Sequence, residues 1–97
     1  MYVNVHRSGE DRVISICDES LVGRTFAEGD FLLDVRGSFY QGESKTKEEV
    51  KEYLREGGNL NVVGEESVQC CLEEGLIDES NVKRIQGVPF VFIVSLQ

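Results

Sequence analysis

One histidine and three cysteines are the residues of this chain best suited to nucleophilic chemistry. A cysteine is activated when a base lies within hydrogen-bonding reach of its sulfur, which makes Cys17 and His6 the pair to weigh. Both belong to patterned segments. Tyr2 to Arg7 alternates, with Val3 and Val5 on one face, and Arg12 to Cys17 alternates with Ile14 and Ile16 on one face. Ser8-Gly9-Glu10-Asp11 between them is turn chemistry, so the two segments form a hairpin. Pairing Arg7 with Arg12 sets Val5 opposite Ile14 and Val3 opposite Ile16, which gathers all four aliphatics on one side. The same register sets Cys17 opposite Tyr2, and His6 then lies roughly 13 Å away along the strand. No catalytic dyad is expected, and Cys17 reads as a small, partly buried hydrophobe.

Metal chemistry has as little to stand on. A single histidine and no Cys-x-x-Cys spacing leave no ordinary ligand set. Cys70 and Cys71 are adjacent in a helical pattern, about 100° apart around its axis, and cannot easily grip one ion. Asn61-Val62-Val63-Gly64-Glu65-Glu66 runs strand, glycine, helix, which has the outline of a phosphate-binding turn but lacks G-x-G-x-x-G. Glu65 and Glu66 in the first helical turn complement the helix dipole themselves and would repel a phosphate. The acid pairs Glu65-Glu66, Glu73-Glu74 and Asp78-Glu79 read as solvated surface. Glu73-Glu74 is out of place at a helix C-terminus, where the dipole disfavours anions.

Two weaker groups of candidates remain. Arg24 and Tyr40 lie in irregular, glycine-punctuated segments of the kind that carry binding residues on a rigid frame, and Asp18 completes a possible small-ligand pocket. Arg36, Lys47, Lys51 and Arg55, with Lys45, would give a modest basic side around the first helix that could touch RNA. The same residues also fit an exposed helix with internal ion pairs, and no aromatic-rich pattern of the RRM type accompanies them. No catalytic residue, metal ligand or cofactor is assigned.

The elements that must position these residues follow from pattern. Asp18 is suited to cap a short turn through Leu21 and Val22, ended by Gly23. Phe31, Leu33 and Val35 mark a third half-buried strand, and Phe39 to Gly42 fits either a short strand or a loop. Thr46 to Glu56 is a helix with a Thr46/Glu49 capping box, a Val50, Tyr53, Leu54 stripe and a Gly57-Gly58 stop. Leu60 to Val63 is a strand. Glu65 to Glu74 is a helix with a Val68, Cys71, Leu72 core stripe and Cys70 flanking it. Gly75 stops this helix, and Leu76 folds back on Cys71. Val82 to Ile85 and Val88 to Leu96 form a last hairpin around Gln86-Gly87, whose second strand is apolar on both faces: Phe90, Phe92 and Val94 against Val91 and Ile93. A strand of this kind is covered on both sides. Two short helices cannot cover both faces of the sheet, so a second copy of the chain is expected against the C-terminal strand region.

Size and composition set the frame. Ninety-seven residues, 40% hydrophobic and 29% charged, make one domain, 1–97, with one ordinary core. The fold class expected is α+β, a mainly antiparallel sheet of five or six strands with two helices packed on it. No apolar run approaches the ~18 residues a membrane span needs, and no basic region followed by an apolar stretch suggests export. Three cysteines, an odd number with two adjacent, are a poor disulfide framework; a cytoplasmic location and reduced thiols are expected. The net charge of -8 disfavours nucleic acid and suits a basic protein or ribosomal partner.

Several short stretches together resemble the archaeal domain-of-unknown-function family 424. They are Cys17-Asp18 with Leu21, Gly23 and Phe26; Phe39-Tyr40 with Gly42; Asn61-Val62-Val63-Gly64-Glu65; Glu74-Gly75-Leu76; and Gly87-Val88-Pro89. A histidine often follows that proline in the family, where this chain has Phe90. The resemblance implies an archaeal cytoplasmic protein and supplies no catalytic residue. The leading expectation is therefore a small, dimeric interaction or accessory protein. An RNA- or ribosome-associated factor in translation is the first alternative, and an enzyme or small-ligand binder near Asp18, Arg24 and Tyr40 the second.

Overall fold

The computed structural model describes residues 1–94. Strand β1 (Tyr2–Ser8) pairs antiparallel with β2 (Asp11–Cys17) in the register set by the aliphatics: Arg7 faces Arg12, Val5 faces Ile14 and Val3 faces Ile16. A 3-10 turn (Glu19–Leu21) leads to β3 (Thr25–Glu28) and β4 (Phe31–Asp34), which form a separate two-stranded hairpin. Then come β5 (Glu43–Ser44), α1 (Lys47–Glu56), β6 (Asn59–Val63), α2 (Glu65–Glu73), β7 (Lys83–Ile85) and β8 (Val88–Ile93). The main sheet has six strands in the order β5-β1-β2-β6-β8-β7. All its pairs are antiparallel except β2 with β6, whose crossover connection runs through the β3–β4 hairpin, β5 and α1. The chain is thus α+β, with a mostly antiparallel sheet and two helices.

Local chemistry accounts for the helix ends. Thr46 Oγ1 accepts from Glu49 N–H and Glu49 Oε1 accepts from Thr46 N–H, closing the capping box that starts α1. At the end of α2, Leu76 N–H reaches Cys71 O and Gly75 N–H reaches Leu72 O, both at 3.1 Å, the two bonds of a Schellman stop.

Alternation along the strands divides the core in two. On one face Val3, Ile14, Ile16, Leu60, Val62 and Val91 pack against Val50 and Leu54 of α1 and Val68, Cys70 and Cys71 of α2. Cys70 is as deeply buried as Cys71, so the apolar stripe of α2 is wider than its spacing suggests. On the other face Cys17, Val63 and Ile85 pack against Phe26, Leu33, Val35 and Tyr40, with Phe90 half-buried beside them.

This second layer corrects two expectations. The Phe31–Val35 segment is no strand of the main sheet; its strand pairs with the unforeseen Thr25–Glu28, and Phe31 is exposed at the hairpin tip. The chain's own hairpin therefore covers part of the face assigned to a second copy. Phe92 and Val94, at 55% and 70% exposure, remain open. Phe39–Gly42 is a loop, and Ser95 and Leu96 of the expected last strand lie outside the described residues.

Candidate functional site

The turn that outlines a phosphate site is already filled. Asp18 follows β2, and its N–H bonds Val63 O at the end of β6. Its side chain does not cap the 3-10 turn. Instead Oδ2 accepts from Glu66 N–H at 3.0 Å, and Oδ1 accepts from Ser67 N–H at 2.9 Å and Ser67 Oγ at 2.7 Å. The carboxylate thus satisfies the N–H groups of Glu66 and Ser67 in the first turn of α2, where an anionic ligand would otherwise bind. Gly64, at φ 111°, has no side chain to obstruct it.

Of the small-ligand candidates, Asp18 and Tyr40 are buried, and Arg24 is the exposed member with its guanidinium 4.9 Å over the Phe26 ring. Burial, aided by the Cys17 sulfur, pushes the Tyr40 hydroxyl up to about 12. Burial followed by the Asp18 charge pushes the Cys17 thiol up to about 12, which suits a packed sulfur and not a nucleophile. Burial raises Cys71 to about 12 and raises Cys70 as well. All three cysteines are free and buried.

The nucleic-acid candidates divide between the two sides of the sheet. Arg36 belongs to the hairpin layer, where it holds Asp34 through Nε at 3.0 Å and its side-chain bonds draw the Asp34 carboxyl down to about 2. Lys47, Lys51 and Arg55 lie on α1 and reach across to α2. Lys51 Nζ is 2.7 Å and Lys47 Nζ 3.0 Å from Glu73, and Arg55 grips Glu74 with Nε at 2.6 Å. The adjacent acids at the end of α2, unfavourable for their own helix, are thus answered by the cations of its neighbour. Hydrogen bonds from Lys51 and then Lys47 take the Glu73 carboxyl down to about 2.

Sequence reasoning did not find the polar latch on the second face. Asn4 Nδ2 donates to Ser38 O and Gln41 O, and Ser15 Oγ donates to Phe39 O at 2.6 Å. His6 Nε2 lies 2.9 Å from that same carbonyl, and its ring stacks on Phe39 with centroids 4.3 Å apart. The polar side chains alternating with the β1 and β2 aliphatics were a signal that something polar crosses this face. Their partner, a loop over twenty residues on from Ser15, had no mark of its own.

The far end of β8 is the open part of the fold. β7 pairs only with Val88 to Phe90, and no strand among the described residues pairs with that edge beyond it. Beside that edge is a cleft of about 370 Å³ lined by Leu76, Ile77, Phe90, Phe92 and Ile93 with Asn81 and Lys83 at its rim. Among the described residues no three His, Cys, Asp or Glu side chains are grouped to hold a metal ion, and no helix is long and apolar enough to cross a membrane.

The family described as "Protein of unknown function (DUF424)" matches residues 6–96. The chain is a DUF424 protein. Asp18, Gly64 and the Glu74-Gly75-Leu76 stop, which carried the resemblance, are in this DUF424 chain the residues that join β2 to α2 and end that helix. A crystal structure of an uncharacterized conserved protein from Methanopyrus kandleri is similar to it, with a TM-score of 0.78 and 26% identity over 95% of this chain and 88% of that one. No curated protein matches the DUF424 chain.

Proposed function

We propose that this protein is a small interaction or accessory module that pairs with a second copy of itself through the C-terminal strand region. The supporting observation is the exposure of Phe92 and Val94 on the sheet face, at the point where β7 ends and leaves the edge of β8 open. An unpaired strand edge is a template for another strand, and apolar side chains beside it supply the area that holds the pair. Two copies meeting through the same patch satisfy a twofold axis. The RNA-associated reading has less support, because Lys47, Lys51 and Arg55 have their charge offset by Glu73 and Glu74. A ligand between Asp18, Arg24 and Tyr40 would have to open two buried side chains.

The test is sedimentation equilibrium across the micromolar range. A dimer that Phe92→Glu converts to a folded monomer supports the reading. A wild-type monomer at high micromolar concentration removes it.

A further inference from the structure

The β3–β4 hairpin carries two exposed large apolar side chains in succession along β4, Phe31 at 72% and Leu32 at 63%. Successive strand residues point to opposite faces, so these two make both sides of the tip apolar. A flat partner surface would meet one side only. A partner that covers both has a cleft that the tip enters.

The tip is also held in place. The cross-strand pair Phe26 and Leu33 anchors the hairpin in the second core. At the β7–β8 turn, Gln86 N–H donates to Glu28 Oε1 at 3.0 Å and Gln86 Nε2 donates to Ala27 O at 2.7 Å. Gln86 is the one described non-glycine residue with a positive φ, 53°. Hairpin turns of this kind favour Asn or Gly there. A strained backbone that persists because its side chain fixes a neighbouring element is the kind of outlier from which function is inferred. A tip ordered in advance loses less entropy on binding, which is how aromatic anchors become strong contacts.

Charge selects the partner. The turn is Gly29-Asp30, next to Glu28 at the end of β3, and Asp30 has no cation partner among the described residues. Most of the ten Lys and Arg residues are engaged with acids of their own chain, so the net charge of -8 is expressed by unpaired carboxylates. An anionic bilayer would repel this tip, whereas a cleft rimmed by Lys and Arg attracts it. We infer that the β3–β4 tip is a docking wedge for a basic partner protein with an apolar cleft. This deepens the interaction-module reading and rests on it.

The experiment places a photoreactive phenylalanine at position 31 of the full chain in a lysate of its native cells, with Glu52 on α1 as the control position. Adducts are identified by mass spectrometry, and the protein found is purified and titrated. The expected result is a basic protein trapped from position 31 and not from position 52. Its affinity should fall at least tenfold with Leu32→Ser, several-fold with Gln86→Gly, and steeply with added salt. No adduct above the control, an adduct with an acidic protein or only with a second copy, or binding to phosphatidylcholine vesicles in its place overturns the inference. Phe92→Glu separates the two readings: a monomer that still yields the position-31 adduct retains the docking wedge without self-association. A wild-type chain that neither self-associates nor yields the position-31 adduct would overturn the module reading itself.

Discussion

The carboxylate of Asp18 occupies the space that a side chain at Gly64 would need: a Cβ there would lie 2.6 Å from each of its oxygens. The helix cap and the glycine are one device, built from residues that no sequence pattern connects. Gly64→Ala meets both this obstruction and a backbone conformation, φ 111° with ψ 157°, that side chains avoid, and it should destabilise the fold by on the order of 3 kcal/mol. Asp18→Ala removes three bonds to a charged acceptor and should cost about 2–3 kcal/mol. The two losses should not add. With the carboxylate gone, the methyl group introduced at position 64 has room, so the double variant should be more stable than the sum of the singles predicts. Urea denaturation of the four proteins measures this, and simple additivity would sink the shared-space account.

The α1–α2 ion pairs should leave a signature in acid. Glu73 is drawn from 4.5 to about 2 in the folded chain. A carboxyl lowered on folding stabilises above its unfolded value and loses that contribution as the pH falls through its folded value. The stabilisation from Glu73 is therefore complete above about pH 4.5 and disappears toward pH 2. Asp34 titrates in the same window, so Glu73→Gln should flatten the stability profile there without abolishing its slope. Because these side chains are exposed, added salt should shrink the effect. Thermal melts from pH 6 to 2.5, at low and high salt, test both parts.

Burial should make the thiols inert. With Cys17 and Cys71 near 12 and Cys70 also raised, none is a thiolate at pH 8. An aromatic disulfide reagent should react with the native protein only at the rate of unfolding, and with three thiols once guanidinium is present. Fast labelling of Cys17 under native conditions would show that the second core opens locally, and of Cys70 or Cys71 that the first does.

The parts of the fold that were legible in the sequence are those set by neighbours along the chain. The β1–β2 register follows from four aliphatics and one turn, the start of α1 from Thr46 and Glu49, and the end of α2 from Gly75. The parts that were not legible depend on partners far along the chain. Thr25–Glu28 has a single large apolar residue, Phe26, and no alternation to mark it as a strand until Leu33 is set opposite. Asp18 looks like the cap of the turn beside it, and only the parallel pairing of β2 with β6 brings it to Ser67. Glu73 and Glu74 look misplaced while α2 is considered alone, and cease to be so once α1 lies alongside.

The same distinction applies to the latch on the second face, where three short polar side chains hold carbonyls of a loop that has no regular structure of its own. Asn4 serves two of those carbonyls, whereas Ser15 shares Phe39 O with His6. Asn4→Ala should therefore cost about 1–2 kcal/mol, and Ser15→Ala about 1 kcal/mol, because His6 remains on the shared oxygen. Hydrogen exchange should rise across residues 37–42 in both variants and stay unchanged in α1, which packs on the other face. Since the His6 ring also stacks on Phe39, His6→Ala removes a bond and a ring contact together and should loosen the loop more than Ser15→Ala does. An exchange pattern in which His6→Ala leaves 37–42 as protected as in the wild type would mean that Ser15 and Asn4 hold the loop without it.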